Sequence, residues 1–320
     1  MSLTKVVFLT SLRQPVIDEI VYYAPDNFEI VVLNSTALES DCIKQIRDAD
    51  FLLCHGRYPT DEMLRAAVNC RLVQLLAAGY DQINLDLLSE LEIPCANNGG
   101  ANSWAVADHA VLLMLATYKR LFAAQQSTRN GTWNKPINGE NTFEMADKKI
   151  GIIGMGNIGR KVAKRVQAFD ANVQYFDLFP LNPNVNQDLK IESVSIEVLF
   201  ERSDIITSHI PLNKNTHHMV NQERLSMMKP SAILINTSRG SLIDELALIE
   251  ALNQGTIAAA GLDVFEKEPV EISNPLLKMD NVIVTPHMAG TTWDTWSRRC
   301  QFGFENMKRS LVGEEISGVI

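Results

Sequence analysis

The chain is short of the residues that build disulfide frameworks, nucleic-acid grips and membrane spans. Its five cysteines (Cys42, Cys54, Cys70, Cys95 and Cys300) are odd in number and contain no CxxC pair. That argues against a disulfide scaffold or a zinc ribbon and leaves buried free thiols in a reducing compartment. No metal site is expected. Positive charge is scarce: 29 Lys and Arg stand against 38 Asp and Glu, a net charge of -9. Nucleic-acid binding leans on Lys and Arg that neutralise phosphates, so no nucleic-acid partner is expected. Long hydrophobic runs are missing too. The N-terminal apolar stretch from Val6 to Leu9 is too short for a signal peptide. The most apolar helical stretch, HAVLLMLATY at 109–118, falls well short of a membrane span. No membrane partner and a cytoplasmic location are the expectations.

What is present is a long alternation of short apolar runs and helical patterns. At 320 residues, two domains are expected. In the first third, strands are predicted at KVVFLT (5–10), FEIVVLN (28–34), ADFLLCH (49–55), RLVQLLA (71–77) and IPCANN (93–98), separated by helices such as TDEMLRAAV (60–68) and LDLLSELE (85–92). Continuous apolar strands of this kind suit parallel sheets covered on both faces. A second series of six runs through KIGIIGMG (from 149), NVQYFD (172–177), DIITSHI (204–210), AILINTS (232–238), AAAGLDVF (258–265) and NVIVT (281–285). The fold class read from this pattern is α/β, with two doubly wound parallel-sheet domains. In DELALIEALNQG, Asp244 can cap a helix that ends at Gly255. The irregular stretch 131–147 is too long for an ordinary connection and is expected to be functional or to pack on something such as a second subunit.

KIGIIGMGNIGRKVAKRV (149–166) places Gly154, Gly156 and Gly159 in a GxGxxG spacing between an apolar strand and a helix. Gly154 permits the tight turn, Gly156 lets backbone N–H groups approach a pyrophosphate, and Gly159 allows close helix–strand packing. The helix is expected to bury Ile158, Val162, Val166 and Phe169, with Lys161, Lys164 and Arg165 facing away. The next strand ends at Asp177, 18 residues past Gly159. A carboxylate there can accept hydrogen bonds from the ribose hydroxyls of NAD and would repel the 2′-phosphate of NADP. DLFP follows, with no adjacent Arg to welcome that phosphate. The cofactor reading is NAD, with NADP disfavoured.

Only six histidines occur, and VIVTPHMAG (282–290) delivers one, His287, from a strand end into a glycine-terminated turn. Ligands of open α/β sheets sit beyond the C-terminal ends of the strands. There NTSRG offers Arg239, GLDVFEKEP offers Asp263, Glu266 and Glu268, and TPHMAG offers His287. Hydride transfer to a carbonyl leaves an alkoxide that needs a proton, which a histidine can supply near neutral pH. A carboxylate on the ring fixes its tautomer, and an arginine can polarise the carbonyl and grip a neighbouring carboxylate. Taken singly, each has a plainer reading: a structural strand-end histidine, a solvated EKE turn, a helix-flanking charge. Their convergence on one edge favours chemistry, with His287, Glu268 and Arg239 in those three roles.

With these motifs in the same order, the chain resembles the D-isomer-specific 2-hydroxyacid dehydrogenases over essentially its whole length. The carriers are GMGNIG with Asp177, SHIPLNKNT (208–216), MKPSAILINTSRGSLID (228–244), AAGLDVFEKEP (259–269), VIVTPHMAG and NSWAVADHAVLLML (102–115). The resemblance implies a Rossmann cofactor domain at 101–288 inserted in a flavodoxin-like substrate domain of 1–100 and 289–320. It implies a cleft that closes on substrate and a homodimer formed through the helix and loop between 103 and 147. Arg239 would bind substrate, Glu268 would pair with His287, and the backbone at Ala78–Gly79 with Asn102 would hold the substrate carboxylate. Asn157, Ile158, His209, Pro211, Thr216, Thr237, Ser238, Asp263 and Gly290 would line the cofactor. Departures narrow the substrate. Glu268 stands where formate dehydrogenases of this superfamily carry Gln, His55–Gly56 where phosphoglycerate dehydrogenases show Arg–Ser, and Ala101 where D-lactate dehydrogenases carry Tyr. The favoured reading is an NAD-dependent reductase of a small 2-oxo acid such as glyoxylate or hydroxypyruvate. The alternative is an NAD(H)-sensing, corepressor-like interaction protein of the same fold, disfavoured by the lack of a basic or low-complexity tail after GEEISGVI.

Overall fold

The computed structural model describes residues 3–133 and 139–320; five residues of the irregular 131–147 stretch lie outside it. The chain separates into two compact units, Met1–Asn102 with Thr291–Ile320, and Ser103–Gly290. Ala101 and Asn102 thus belong with the first unit, and Ala289 and Gly290 with the second.

In the first unit, strands β1 (Thr4–Thr10), β2 (Phe28–Leu33), β3 (Phe51–His55), β4 (Leu72–Leu75) and β5 (Cys95–Ala96) form one sheet in the order β2-β1-β3-β4-β5. All pairings are parallel. This is the flavodoxin-like order, with its switch point between β1 and β3. The central strands are buried apolar runs, as a sheet covered on both faces requires. The expected helices appear at Asp61–Ala66 and Leu85–Glu90, capped by the Thr60 hydroxyl and the Asn84 side chain. The C-terminal helix Trp293–Val312 returns to the sheet, where an added Cβ on Gly303 would lie 3.1 Å from Gln74 Cγ. Asn306 ties it down by donating to Gln74 Oε1 at 2.9 Å.

The second unit holds β6 (Lys149–Ile153), β7 (Asn172–Phe176), β8 (Ile191–Ser193), β9 (Ile205–Ser208), β10 (Ile233–Asn236), β11 (Ala259–Leu262) and β12 (Val282–Val284). Their order is β12-β11-β10-β9-β6-β7-β8, all parallel, the doubly wound dinucleotide-binding order extended by one strand. The sheet therefore has seven strands where six were expected. The extra one, β8, is an edge strand of three residues of which only Ile191 is buried, too short to carry a pattern of its own. Helix Ser103–Tyr118 is apolar nearly all round and mostly buried. It packs so closely on the sheet that a Cβ on Gly261 would sit 3.1 Å from Leu113 Cβ. Asp244 caps helix Glu245–Asn253 by accepting from the Ala247 N–H, and Gly255 leaves it with φ +71°. One expectation fails: Phe169 lies beyond helix Asn157–Gln167 and is exposed, because the helix has ended before its turn could face the sheet.

Candidate active site

At the C-terminal end of β6 the chain turns through Gly154 at φ +94°, where a side chain would meet Ile210 Cγ2 at 2.6 Å and the His209 carbonyl oxygen at 2.8 Å. Only glycine adopts this backbone without strain. Gly156 precedes helix Asn157–Gln167 and has open space where its Cβ would project. Gly159 is the reverse case: a Cβ would run into the Gly154 carbonyl. Asn157 and Ile158 form the first helical turn, whose free N–H groups and positive dipole end suit an anion. Asp177, just past β7, accepts from the Met155 N–H at 2.7 Å and the Phe179 N–H at 2.9 Å. The carboxylate is thereby fixed beside the glycine turn with lone pairs left over.

The loop after β9 is built on itself. His209 donates its N–H to the Ile153 carbonyl at 2.7 Å, and its ring Nε2 lies 3.0 Å from Thr207 Oγ1. Burial pushes the imidazole down to about 3, so the ring is neutral, and its buried Nδ1 has no hydrogen-bond partner. Thr216 is buried; its hydroxyl donates to the Pro211 carbonyl and accepts from the Asn213 N–H, both at 2.8 Å, closing the loop. After β10, the Thr237 hydroxyl is buried without a partner while that of Ser238 donates to the Ser208 carbonyl. A glycine cradle open above Gly156, an acid at the end of β7, and orphaned buried polar atoms on His209 and Thr237 fit a dinucleotide.

Beyond β10 and β11 the candidate side chains converge. Arg239 opens a 3-10 turn, Gly240–Leu242, and its Nη1 donates to the Ser238 carbonyl at 2.7 Å. A Cβ on Gly240 would run into the Phe265 carbonyl, so glycine alone lets the Arg239 turn press against the loop that carries Glu268. Glu268 Oε1 accepts from the Phe265 N–H at 3.0 Å, and Oε2 lies 2.6 Å from His287 Nδ1. Burial raises the Glu268 carboxyl, but hydrogen bonds from His287 and Phe265, with the charges of His287 and Arg239, hold it below the ordinary carboxylate value. An ionised carboxylate only accepts, so Nδ1 carries hydrogen and Nε2 is the nitrogen free for proton exchange.

His287 has φ +51°. Asp263 shows why. It is wholly buried, its carbonyl accepts from the His287 N–H at 2.7 Å, and its carboxylate accepts from the Met288 N–H at 2.9 Å and the Ala289 N–H at 2.8 Å. Three successive amides wrap one residue, and Gly290 closes the turn. Sequence reasoning missed two further members, His109 and Thr285. Thr285 donates to Asp263 Oδ1 at 2.6 Å, and His109 Nε2 lies 3.0 Å from the Thr285 hydroxyl. His109 is separated from Thr285 by 176 positions, so no local pattern connects them. Glu266 faces away from this cluster and pairs with His218.

Ala78, Gly79 and Asn102 belong to the first unit, beyond the C-terminal ends of β4 and β5. Asn97 donates to the Ala78 carbonyl at 3.3 Å, and the Oδ1 of Asn102 is buried without a partner.

The model of the D-isomer specific 2-hydroxyacid dehydrogenase NAD binding domain matches residues 111–289. A glyoxylate reductase of Thermofilum pendens is 37% identical over 277 residues, covering 86% of this chain and 82% of that protein. A hydroxypyruvate reductase of Thermotoga maritima is 38% identical over 277 residues, covering 85% and 88%. Among solved structures, an acyclic imino acid reductase in complex with NADPH and D-Arg superposes with a TM-score of 0.86 at 30% identity, covering 99% of both chains. The chain belongs to the D-isomer-specific 2-hydroxyacid dehydrogenase family. It is an oxidoreductase that works on 2-hydroxy or 2-oxo acids with a nicotinamide cofactor.

Proposed function

We propose that the chain reduces a small 2-oxo acid, with glyoxylate and hydroxypyruvate as the leading candidates, to the D-2-hydroxy acid with NADH. The observation that carries this reading is the 2.6 Å hydrogen bond from His287 Nδ1 to Glu268, which leaves Nε2 as the proton-exchanging atom. When bound, the nicotinamide supplies the hydride in reduction and receives it in oxidation. His287 Nε2 gives its proton to the carbonyl oxygen as the alkoxide forms, and takes it back in the oxidative direction. Glu268 holds the ring orientation and stabilises the imidazolium. Arg239 grips the substrate carboxylate and polarises the adjacent carbonyl. On the family's pattern, the backbone of Ala78 and Gly79 and the side chain of Asn102 also bind the substrate carboxylate.

Gly154, Gly156, Asn157, Ile158 and Gly159 hold the pyrophosphate, and Asp177 takes the ribose hydroxyls. His209, Pro211, Thr216, Thr237, Ser238 and Gly290 line the rest of the cofactor site. Asp263, expected beside the nicotinamide, contributes there by building the turn that carries His287. NAD is favoured over NADP because the Asp177 carboxylate, fixed in place by two N–H groups, opposes a 2′-phosphate.

The reading extends to assembly and location. A homodimer through the 103–147 segment is supported by the exposed apolar side chains Leu112, Leu121 and Phe122. Five free thiols support a reducing, cytoplasmic setting. Among the described residues no helix is long and apolar enough to cross a membrane.

Oxidation of NADH and of NADPH by the purified protein tests the reading, with 2-oxo acids running from glyoxylate and hydroxypyruvate through pyruvate to branched and aromatic members. Fast turnover of a small acid with NADH is the expected result. Turnover confined to NADPH would overturn the cofactor assignment, and turnover confined to bulky acids would overturn the substrate class.

A further inference from the structure

Behind His287 lies a buried polar chain that ends on a residue given no part in the proposed reaction. Asp263 has no exposed surface, and its two carboxylate oxygens accept from Thr285, Met288 and Ala289. Buried at this depth, the carboxylate is tolerated because its lone pairs are hydrogen-bonded. The amides of His287, Met288 and Ala289 all point at this one residue in a concave ring of N–H groups, the first on its carbonyl and the next two on its carboxylate. Such a ring needs a left-handed residue, and His287 is that residue at φ +51°.

The hydrogens in this network can be assigned. A carboxylate only accepts, so the Thr285 hydroxyl hydrogen points at Asp263 across 2.6 Å. The Thr285 oxygen then faces His109 Nε2 at 3.0 Å with a lone pair, so Nε2 must carry hydrogen. The same nitrogen lies 3.6 Å from Asp263 Oδ1, and the His109 side chain is 10% exposed. His109 stands on helix Ser103–Tyr118, a mostly buried element.

We propose that His109 is a positioning residue for the reaction: its Nε2–H orients the Thr285 hydroxyl on Asp263, and Asp263 in turn holds the left-handed turn that aims His287. This rests on the reading of His287 as the acid/base. The distances make the link directional. Helix 103–118 fixes His109, His109 fixes Thr285, and the carboxylate they share fixes the Met288 and Ala289 amides beside the reacting histidine. Misplacing a catalytic group by about 1 Å can cost roughly 100-fold in rate.

The test compares His109→Leu, which removes the donor, with His109→Gln, whose amide nitrogen reaches about as far as Nε2. Steady-state rates, the pH profile of kcat/KM and NADH affinity by fluorescence are measured for both, for Thr285→Val, and for His287→Ala. His109→Leu and Thr285→Val are expected to lose kcat by about tenfold or more, with the pH profile displaced and NADH affinity within about twofold of wild type. His109→Gln should recover most of the rate. A His109→Leu protein that binds NADH and turns over like wild type overturns the inference, as does His109→Gln no faster than His109→Leu. If His109→Leu does not fold, Thr285→Val decides: wild-type kcat and pH profile there overturn the inference equally. Should His287→Ala retain wild-type turnover, the acid/base reading itself falls, whereas an inactive His287→Ala beside an active His109→Leu removes only the role of His109.

Discussion

His287, the residue proposed to exchange the proton, occupies a backbone region that costs a non-glycine residue about 1–3 kcal/mol. The cost is offset by amides 287–289 bonded to Asp263. Replacing His287 by Ala should therefore lower turnover by roughly 10²–10⁴-fold while NADH binding stays near wild type. Near-normal turnover would rule out the acid/base role. Arg239→Ala differs in kind: loss of the carboxylate grip should raise KM as well as lower kcat, and an unchanged KM would count against it. At the other end of the proposed cofactor site, Asp177→Ala removes the carboxylate proposed to oppose a 2′-phosphate. The expected outcome is a rise of about tenfold or more in the ratio of kcat/KM for NADPH over NADH, since a like-charge contact costs more than 1 kcal/mol. An unmoved ratio would place the discrimination elsewhere.

At the scale of elements, loops and turns at strand ends carry the proposed site residues and glycines let them approach. Gly240 presses on the Phe265 carbonyl, and Gly159 on that of Gly154. Gly240→Ala forces the Arg239 turn away from the Glu268 loop. It should destabilise the fold by about 1–3 kcal/mol, read as a lower melting temperature, and slow turnover beyond that loss. A melting temperature equal to that of wild type would show that the neighbouring loop yields. Most elements were legible in advance because buried parallel strands are continuous apolar runs and the helices carry side-chain caps such as Thr60, Asn84 and Asp244. β8 was not, since three residues at a sheet edge hold too little pattern, and Phe169 was misplaced because the helix ends two residues earlier than its periodicity suggested.

For the whole molecule, acid stability depends on two buried neutral imidazoles, one in each unit. Burial pushes both His209 and His55 down to about 3, and for His55 the charge of Arg299 adds to the effect. Each titrates at 6.5 when exposed, so between pH 6.5 and about 3 the unfolded chain binds more protons than the folded one. Stability must then fall as pH falls through that window, by up to about 1.4 kcal/mol per pH unit per histidine. Urea unfolding at pH 7, 6 and 5 should show this slope, and His209→Gln should make it shallower. An unchanged slope would mean that His209 is protonated in the native state. Size-exclusion chromatography with light scattering tests the homodimer: a monomer at micromolar concentration would remove the role given to Leu112, Leu121 and Phe122.

By itself the sequence determined the two α/β series, the glycine turn with its acid, and the placing of three polar residues at strand ends, because each is a local pattern of period, spacing or residue type. Tertiary structure alone decided the strand order, the seventh strand and the setting of His287. That a carboxylate at 263, a hydroxyl at 285 and an imidazole at 109 share one buried network follows from how helix 103–118 lies on the sheet. Hydrogen bonds between residues far apart in the chain leave no periodicity in either partner's neighbourhood, so only the packed fold reveals them.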